Sequence, residues 1–320
     1  MGAILHILVH GSRHKVPLPP AASSGGINRM IHWLAVEQAA QGHKVYAMSQ
    51  IGESNASYQH IRIPAQNSFE TILEKIPNDV TDIEYHGGLA FDVVERLIER
   101  FPRTLQIIHG LENRVGKNRV YVSKSHAKHF GGEVFAYNGI PVDSYQFSED
   151  KEDFLLFLAK VRRSKKGVAT AINVAKKSKT KLIVAGGHRL SSPETWFPWH
   201  RLVKPVGYIN GDEKFRLLSK AKALLVPIRW EEPFGLTIIE AMLSGTPVIA
   251  FNRGAMSELI IDGVTGFLCD NEEEMLSAIN KIEQLSPQVC RAHVIKYFSS
   301  YAMYQKHQEL LDSAGQGSHW

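Results

Sequence analysis

Cysteine is scarce in this chain: Cys269 and Cys290 are its only two among 320 residues. Two cysteines build no disulfide scaffold and leave no metal-binding spacing, and they suit a reducing cytoplasm. Long apolar runs are missing too, since none approaches the roughly 18 residues that a membrane-crossing helix needs. The opening, Met1 to Val9, lacks a basic lead and a small-residue cleavage site, so it is expected to be a first strand rather than a leader. There is no repeat at solenoid spacing and no low-complexity tract. Histidines are scattered without ligand spacing, and although His126 and His129 are close, no third partner stands near them. Ser23-Ser24-Gly25-Gly26 opens the first amphipathic stretch, where a glycine pair lets backbone approach an anion. No third glycine follows at the spacing of a dinucleotide fingerprint, and no acid ends the second strand.

What is present can fill sizeable cores: 44% hydrophobic and 22% charged is an ordinary globular composition. At roughly 150 residues per domain the length predicts about two domains. The net charge of +5 favours anionic partners without choosing among nucleotide, phospholipid and nucleic acid. Short apolar runs (Ala3–Val9, Lys44–Ser49, Asp82–His86, Leu105–His109, Val120–Val122, Phe154–Ala159, Lys181–Ala185, Ala223–Pro227, Pro247–Phe251) alternate with amphipathic stretches. That alternation implies α/β architecture, with parallel sheets covered by helices on both faces. Turn residues at Asn138 to Pro141, ahead of an acidic stretch, predict domains 1–148 and 149–312, with 313–320 a disordered tail. In doubly wound sheets ligands lie beyond the carboxyl ends of the strands.

Most of the chemistry is concentrated in Trp230-Glu231-Glu232-Pro233-Phe234-Gly235-Leu236, continuing to Glu240. Pro233 suits a helix start but not its interior, so a helix is expected to begin around Phe234 to Leu236. Glu232 then stands on the loop ahead of it and Glu240 inside it. Gly235 removes side-chain bulk where a phosphate would approach, and the unpaired N–H groups there favour an anion. Carboxylates accept hydrogen bonds from sugar hydroxyls, while amides and lysines take phosphate oxygens. A nucleoside-diphosphate sugar offers those groups in that order. The basic stretch Lys160 to Lys181 is mainly a solvated face, but Lys160 and Lys166 fall in a strand-to-helix loop. Without interleaved aromatics it argues against nucleic acid.

Taken together, Glu232, Glu240, the Pro-Phe-Gly between them, and Gly254, Glu258 and Asp262-Gly263-Val264-Thr265-Gly266-Phe267 resemble the retaining GT-B glycosyltransferases of the family-4 type, with their Glu-X7-Glu motif. The resemblance implies two doubly wound Rossmann-like domains facing a central cleft, the N-terminal one on the acceptor side and the C-terminal one binding a UDP- or GDP-linked sugar. It implies that Glu232 binds donor-sugar hydroxyls, that Glu240 binds the ribose, and that Phe234, Gly235 and Leu236 offer backbone contacts. Lys160 and Lys166 would neutralise the departing diphosphate, with Lys165 open as the alternative to Lys166. The family has Gly-Arg where this chain has Ala159-Lys160, and a lysine lacks arginine's bidentate fork. Gly25 and Gly26 match the family's glycine pair. His109 would contact donor or acceptor sugar, His86 being the less favoured of two strand-end histidines. The activity so implied is transfer of a sugar, with retention, to the hydroxyl of a carbohydrate or glycolipid. No cofactor or divalent metal is expected, because the Asp-X-Asp motif of metal-dependent glycosyltransferases is missing. The final helix is expected to cross back to the N-terminal domain. A cytoplasmic location is expected, and the positive charge allows peripheral contact with the inner face of the membrane. Two alternatives share these residues: a non-catalytic nucleotide-sugar-binding protein, and a GT-B-like sugar-nucleotide epimerase with its own acid and base.

Overall fold

The computed structural model describes residues 2–9, 17–20, 25–64, 68–111, 114–187 and 200–320. Ser23 and Ser24 lie outside them. The chain divides into two compact units: Met1–Pro141 with Ser299–Trp320, and Val142–Phe298 between. The division falls at Pro141, seven residues before the position the sequence suggested, and the chain re-enters the first unit at Ser299.

In the first unit the elements run β1 (Ala3–Leu8), α1 (Gly26–Ala40), β2 (Lys44–Ser49), β3 (Gln59–Arg62), α2 (Phe69–Leu73), β4 (Val80–Gly87), α3 (Phe91–Arg100), β5 (Thr104–Ile108), β6 (Arg119–Tyr121) and α4 (Lys124–His129). The sheet order is β3-β2-β1-β4-β5-β6, every pairing parallel. β1 and β5 are buried along their whole length because helices cover both faces. Their buried polar residues are His6 in β1 and Thr104 and Gln106 in β5, and His6 has consequences described below.

The second unit runs β7 (Glu152–Leu158), α5 (Val168–Ser178), β8 (Lys181–Ala185), β9 (Val203–Gly207), α6 (Gly211–Lys220), β10 (Ala221–Val226), α7 (Leu236–Leu243), β11 (Val248–Phe251), α8 (Met256–Leu259), β12 (Gly266–Cys269), α9 (Glu272–Lys281) and α10 (Pro287–Phe298). Its sheet order, β12-β11-β10-β7-β8-β9, repeats the first topology. In both sheets the strand order reverses at the centre, between β1 and β4 and between β7 and β10. Such a reversal opens a crevice at the carboxyl ends, where loops from neighbouring strands part to opposite faces.

The last helix, α11 (Ser300–Gly315), packs on α1 and β5 in the first unit, and Ser300 donates its backbone N–H to Ile140 O. Residues 313–320 were expected to be disordered, but the structure places them differently. α11 continues through Gly315, Asn118 N donates to Trp320 O at 2.8 Å, and the Trp320 indole donates to Arg119 O at 2.9 Å. The indole also lies against the core around Leu105, Val120 and Leu311, and that apolar anchor accounts for the order. Among the described residues no helix is long and apolar enough to cross a membrane.

Candidate functional site

The central crevice of the second unit is lined by the loop after β7, which carries Lys160 to Gly167, and the loop after β10, which carries Trp230 to Gly235. Between them they bring together a lysine, an acid and an indole. Lys166 Nζ donates to Glu232 Oε2, and Trp230 Nε1 donates to the same oxygen at 2.9 Å. Both groups are only slightly exposed, at 19% for Lys166 and 15% for Glu232, so water screens the pair weakly. Glu232 Oε1 accepts no hydrogen bond from a described residue. Lys165, the neighbour that sequence could not separate from Lys166, lies over the Trp230 ring, its Nζ 3.6 Å from the centroid. Lys166 Nζ also stands 5.1 Å from the Trp230 centroid, so the short turn Ser164–Lys166 sets both ammonium groups on the indole and brings only Lys166 to Glu232. Lys160 is exposed and pairs with no described side chain.

The Glu232 backbone is held in place by a second turn. Gly254 N donates to Glu231 Oε2 at 2.7 Å, and Ala255 N donates to Glu232 O at 3.0 Å. Gly254 has φ +59°, and a Cβ there would stand against the backbone N and O of Glu232, well inside contact distance. Gly254→Ala is therefore expected to lower stability by about 1–3 kcal/mol and to displace the Glu232 peptide, so that donor turnover falls with it. A Gly254→Ala protein with wild-type melting and turnover would refute this close-approach argument.

Downstream, Phe234 is buried with its ring edge-on to Phe298, and Leu236 opens α7. Gly235 precedes it with φ +115°, so glycine is needed for backbone conformation. A Cβ there would also meet the ends of Ile238 and Met256. Glu240 is fully buried. Lys214 Nζ, from α6, sits 2.7 Å from both of its oxygens, and Tyr145 donates its hydroxyl to Oε1 at 2.8 Å. α7 is buried on every side from Ile238 to Leu243, so an acid at this position enters the interior whatever its role.

In the first unit, Gly25 is the residue before α1 and makes no side-chain cap, while Gly26 is its first residue. His109 follows β5, partly exposed, and His86 ends β4, buried. His86 Nδ1 and His109 Nε2 are 3.0 Å apart, so the two strand-end histidines are directly bonded. Burial first, then the Arg114 charge, pushes His109 down to about 3, and burial holds His86 well below the ordinary histidine range. Both rings are neutral at physiological pH. Behind them His6, Glu84 and His86 bring ligand-type atoms within 4.8 Å of one another.

Comparison with known proteins assigns the unit that holds Glu232. Residues 142–297 match the model of the glycosyl transferases group 1 family. That match lies within the second unit and covers a little under half of the chain. Short stretches also align with curated proteins: 38% identity over 73 residues with a glycogen synthase of Mycobacterium tuberculosis, 22% of this chain and 17% of that one. Sucrose synthase 6 of Arabidopsis thaliana is 42% identical over 72 residues, 22% of this chain and 8% of that one. The chain thus spans less than a fifth of the curated relatives it matches.

Among solved structures, AviGT4, a glycosyltransferase involved in avilamycin A biosynthesis, superposes with a TM-score of 0.79 at 20% identity, covering 100% of both chains. The Anabaena protein Alr3699/HepE, solved in complex with UDP and glucose, gives 0.72 at 18% identity over 98% of this chain and 100% of that one. These likenesses establish the fold, two Rossmann-like α/β units of the GT-B type. Within that group 1 frame, sequence reasoning named Glu232, Glu240 and both lysines. It missed Trp230, Tyr145 and Lys214. A tryptophan two residues from a candidate acid was the available signal for the first; the other two are brought in only by folding.

Proposed function

We propose that the chain is a glycosyltransferase that moves a hexosyl group from a UDP- or GDP-linked donor to an acceptor hydroxyl, with retention of configuration and without a divalent metal. The observation that carries this reading is Glu232. Lys166 and Trp230 fix one of its oxygens at the centre of the second sheet, beside the start of α7, and leave the other able to accept from a sugar hydroxyl. The family match over the same unit supports it, as does a structural neighbour solved with UDP-glucose.

On this reading Phe234, Gly235 and Leu236 present backbone to the diphosphate, and Lys160 and Lys166 supply the positive charge a metal would otherwise bring. An ammonium has three donors, and Glu232 engages one from Lys166. As the bond from the anomeric carbon to the diphosphate oxygen breaks, these groups stabilise the charge gathering on the leaving group. The acceptor oxygen bonds to the same carbon from the same face, and its proton passes to the departing phosphate. Glu240, buried under Lys214 and Tyr145, serves the ribose side of the site. Two buried free thiols suit a cytoplasmic setting.

A panel of UDP- and GDP-sugars tested by thermal shift should identify the donor, since a ligand that binds only the folded state raises its melting temperature. On that donor, Glu232→Gln should lower turnover more than tenfold while melting within a few degrees of wild type. Charge-assisted hydrogen bonds of this kind are worth about 1.5–3 kcal/mol. A Glu232→Gln enzyme as active as wild type would sink the assignment.

A further inference from the structure

A line of buried polar side chains crosses the first unit beneath His109. Gln38 Nε2 donates to Glu84 Oε1 at 2.8 Å, and Gln38 Oε1 lies 2.7 Å from His6 Nε2. His6 Nδ1 is 3.1 Å from His86 Nε2, and His86 Nδ1 is 3.0 Å from His109 Nε2. The ring pairs are inclined by only 19° and 23°, with centroids 5.3 and 5.2 Å apart. Nearly coplanar rings at that separation are joined edge to edge through their nitrogens, the geometry of N–H···N hydrogen bonds. The five residues come from α1, β1, β4 and the end of β5, across the central reversal of strand order.

With His6 neutral, these contacts allow one arrangement of protons. A carboxylate accepts only, so the Gln38 amide must turn its NH2 toward Glu84 and its oxygen toward His6. That oxygen also accepts only, so His6 carries its proton on Nε2. With His6 neutral, its bare Nδ1 accepts from His86 Nε2–H. The bare Nδ1 of His86 then accepts from His109 Nε2–H, and His109 is left with a bare Nδ1 bonded to no described residue. Burial keeps His6 and His86 below the ordinary histidine range, which satisfies the neutrality that the deduction needs. Glu84 is held ionised against its own burial by His307, whose Nδ1 lies 3.0 Å from Oε2, and by the Gln38 amide, which donates to Oε1.

We propose that Glu84, Gln38, His6 and His86 are positioning residues that lock His109 in the Nε2–H tautomer, so that His109 Nδ1 is an obligate hydrogen-bond acceptor for a sugar hydroxyl. The sugar part rests on the transferase reading above; the tautomer part does not. Two otherwise equivalent ring nitrogens become one fixed acceptor, which discriminates a hydroxyl from an ether or a carbonyl at that position. An amide stands between the rings and the carboxylate, so the line fixes orientation without carrying a proton to Glu84.

The test is nitrogen NMR of the full chain with 15N-labelled histidine rings, assigned with the His109→Asn variant. The expected spectrum at pH 7 to pH 8 shows His6, His86 and His109 neutral and protonated on Nε2. A His109 protonated on Nδ1, or cationic at pH 7, overturns the proposal. So does uptake of one zinc equivalent at His6 and His86 by the purified chain, which would make those atoms ligands rather than hydrogen-bond partners. In Gln38→Met the anchor is lost and His109 should become a mixture of both tautomers; should that variant not fold, the wild-type spectrum decides alone.

For the sugar, a shift of the His109 Nδ1 resonance with UDP-glucose but not with UDP assigns the hydroxyl to the donor. A shift with glucose in the presence of UDP assigns it to the acceptor. An Nδ1 resonance unmoved by either, in a protein whose melting temperature UDP or UDP-glucose raises, overturns the sugar contact. A chain that no nucleotide or nucleotide sugar stabilises defeats the transferase reading and the sugar contact together, and the tautomer result stands apart from both.

Discussion

Acidification from pH 7 to pH 4 is expected to destabilise the first unit by several kcal/mol, starting well above the range where carboxylates titrate. His109 is pushed down to about 3 from 6.5, chiefly by burial, and His126 to about 4, again chiefly by burial. Unfolding returns both to ordinary values, so over this range the unfolded chain binds more protons than the folded one. Stability is therefore full above the unfolded value near 6.5 and is lost as pH falls toward the folded values. The slope is about 1.4 kcal/mol per pH unit for each titrating ring, so His109 alone withdraws roughly 3 kcal/mol by pH 4. His126, pushed down less far, adds a smaller loss of the same sign. His6 and His86 act in the same direction. Urea unfolding at several pH values checks this, and His109→Asn should remove about one proton from the slope. Stability that stays flat between pH 7 and pH 4.5 would contradict the burial of these rings.

Glu240→Leu is expected to cost about 3–5 kcal/mol, the penalty for removing one partner of a buried ion pair. The substitution takes away the carboxylate that Lys214 and Tyr145 share at the centre of the second unit. Removing both charges costs less than removing one, so Glu240→Leu combined with Lys214→Met should recover much of the loss. Denaturant melts of the two single variants and the double variant measure the coupling. Equal stability of Glu240→Leu and wild type would mean that the pair contributes nothing to folding. The recovered double variant also separates the acid's two duties: wild-type UDP affinity in that protein would remove Glu240 from the donor site. Glu232, partly exposed, is expected to behave oppositely, with a large effect on turnover and a small one on stability.

Inner strands were readable from sequence and edge strands largely were not. β1, β2, β4, β5, β7, β8, β10 and β11 all coincide with largely apolar runs, as strands covered on both faces require, β4 with its buried Asp82, Glu84 and His86 departing furthest. β3, β9 and β12 escaped notice, and all three lie at sheet edges. β3 reads Gln-His-Ile-Arg, and β9 contains Pro205, which an edge position tolerates but an inner one does not. Turn residues at Asn138 to Pro141 pointed to a division, but the boundary drawn from them at 148 lies seven residues past Pro141. The ordered terminus was not, because Trp320 meets Arg119 only after the chain has returned to the first unit.

The sequence alone determined the α/β alternation, the helix that starts after Pro233 and Gly235, and the pair of acids on either side of that start. Each of these depends on hydrophobic spacing or backbone preference within about a dozen residues, a range over which local rules operate. Tertiary structure decided which acid remains reachable and which lysine serves it. Glu232 and Lys166 are 66 residues apart, and Glu240 and Tyr145 are 95 apart. It also turned three histidines from separate strands into one line ending at His109, where burial lowers the pKa that sequence would assign each ring. Ion pairing and desolvation depend on what surrounds a group in space, and for these residues the surroundings come from distant parts of the chain.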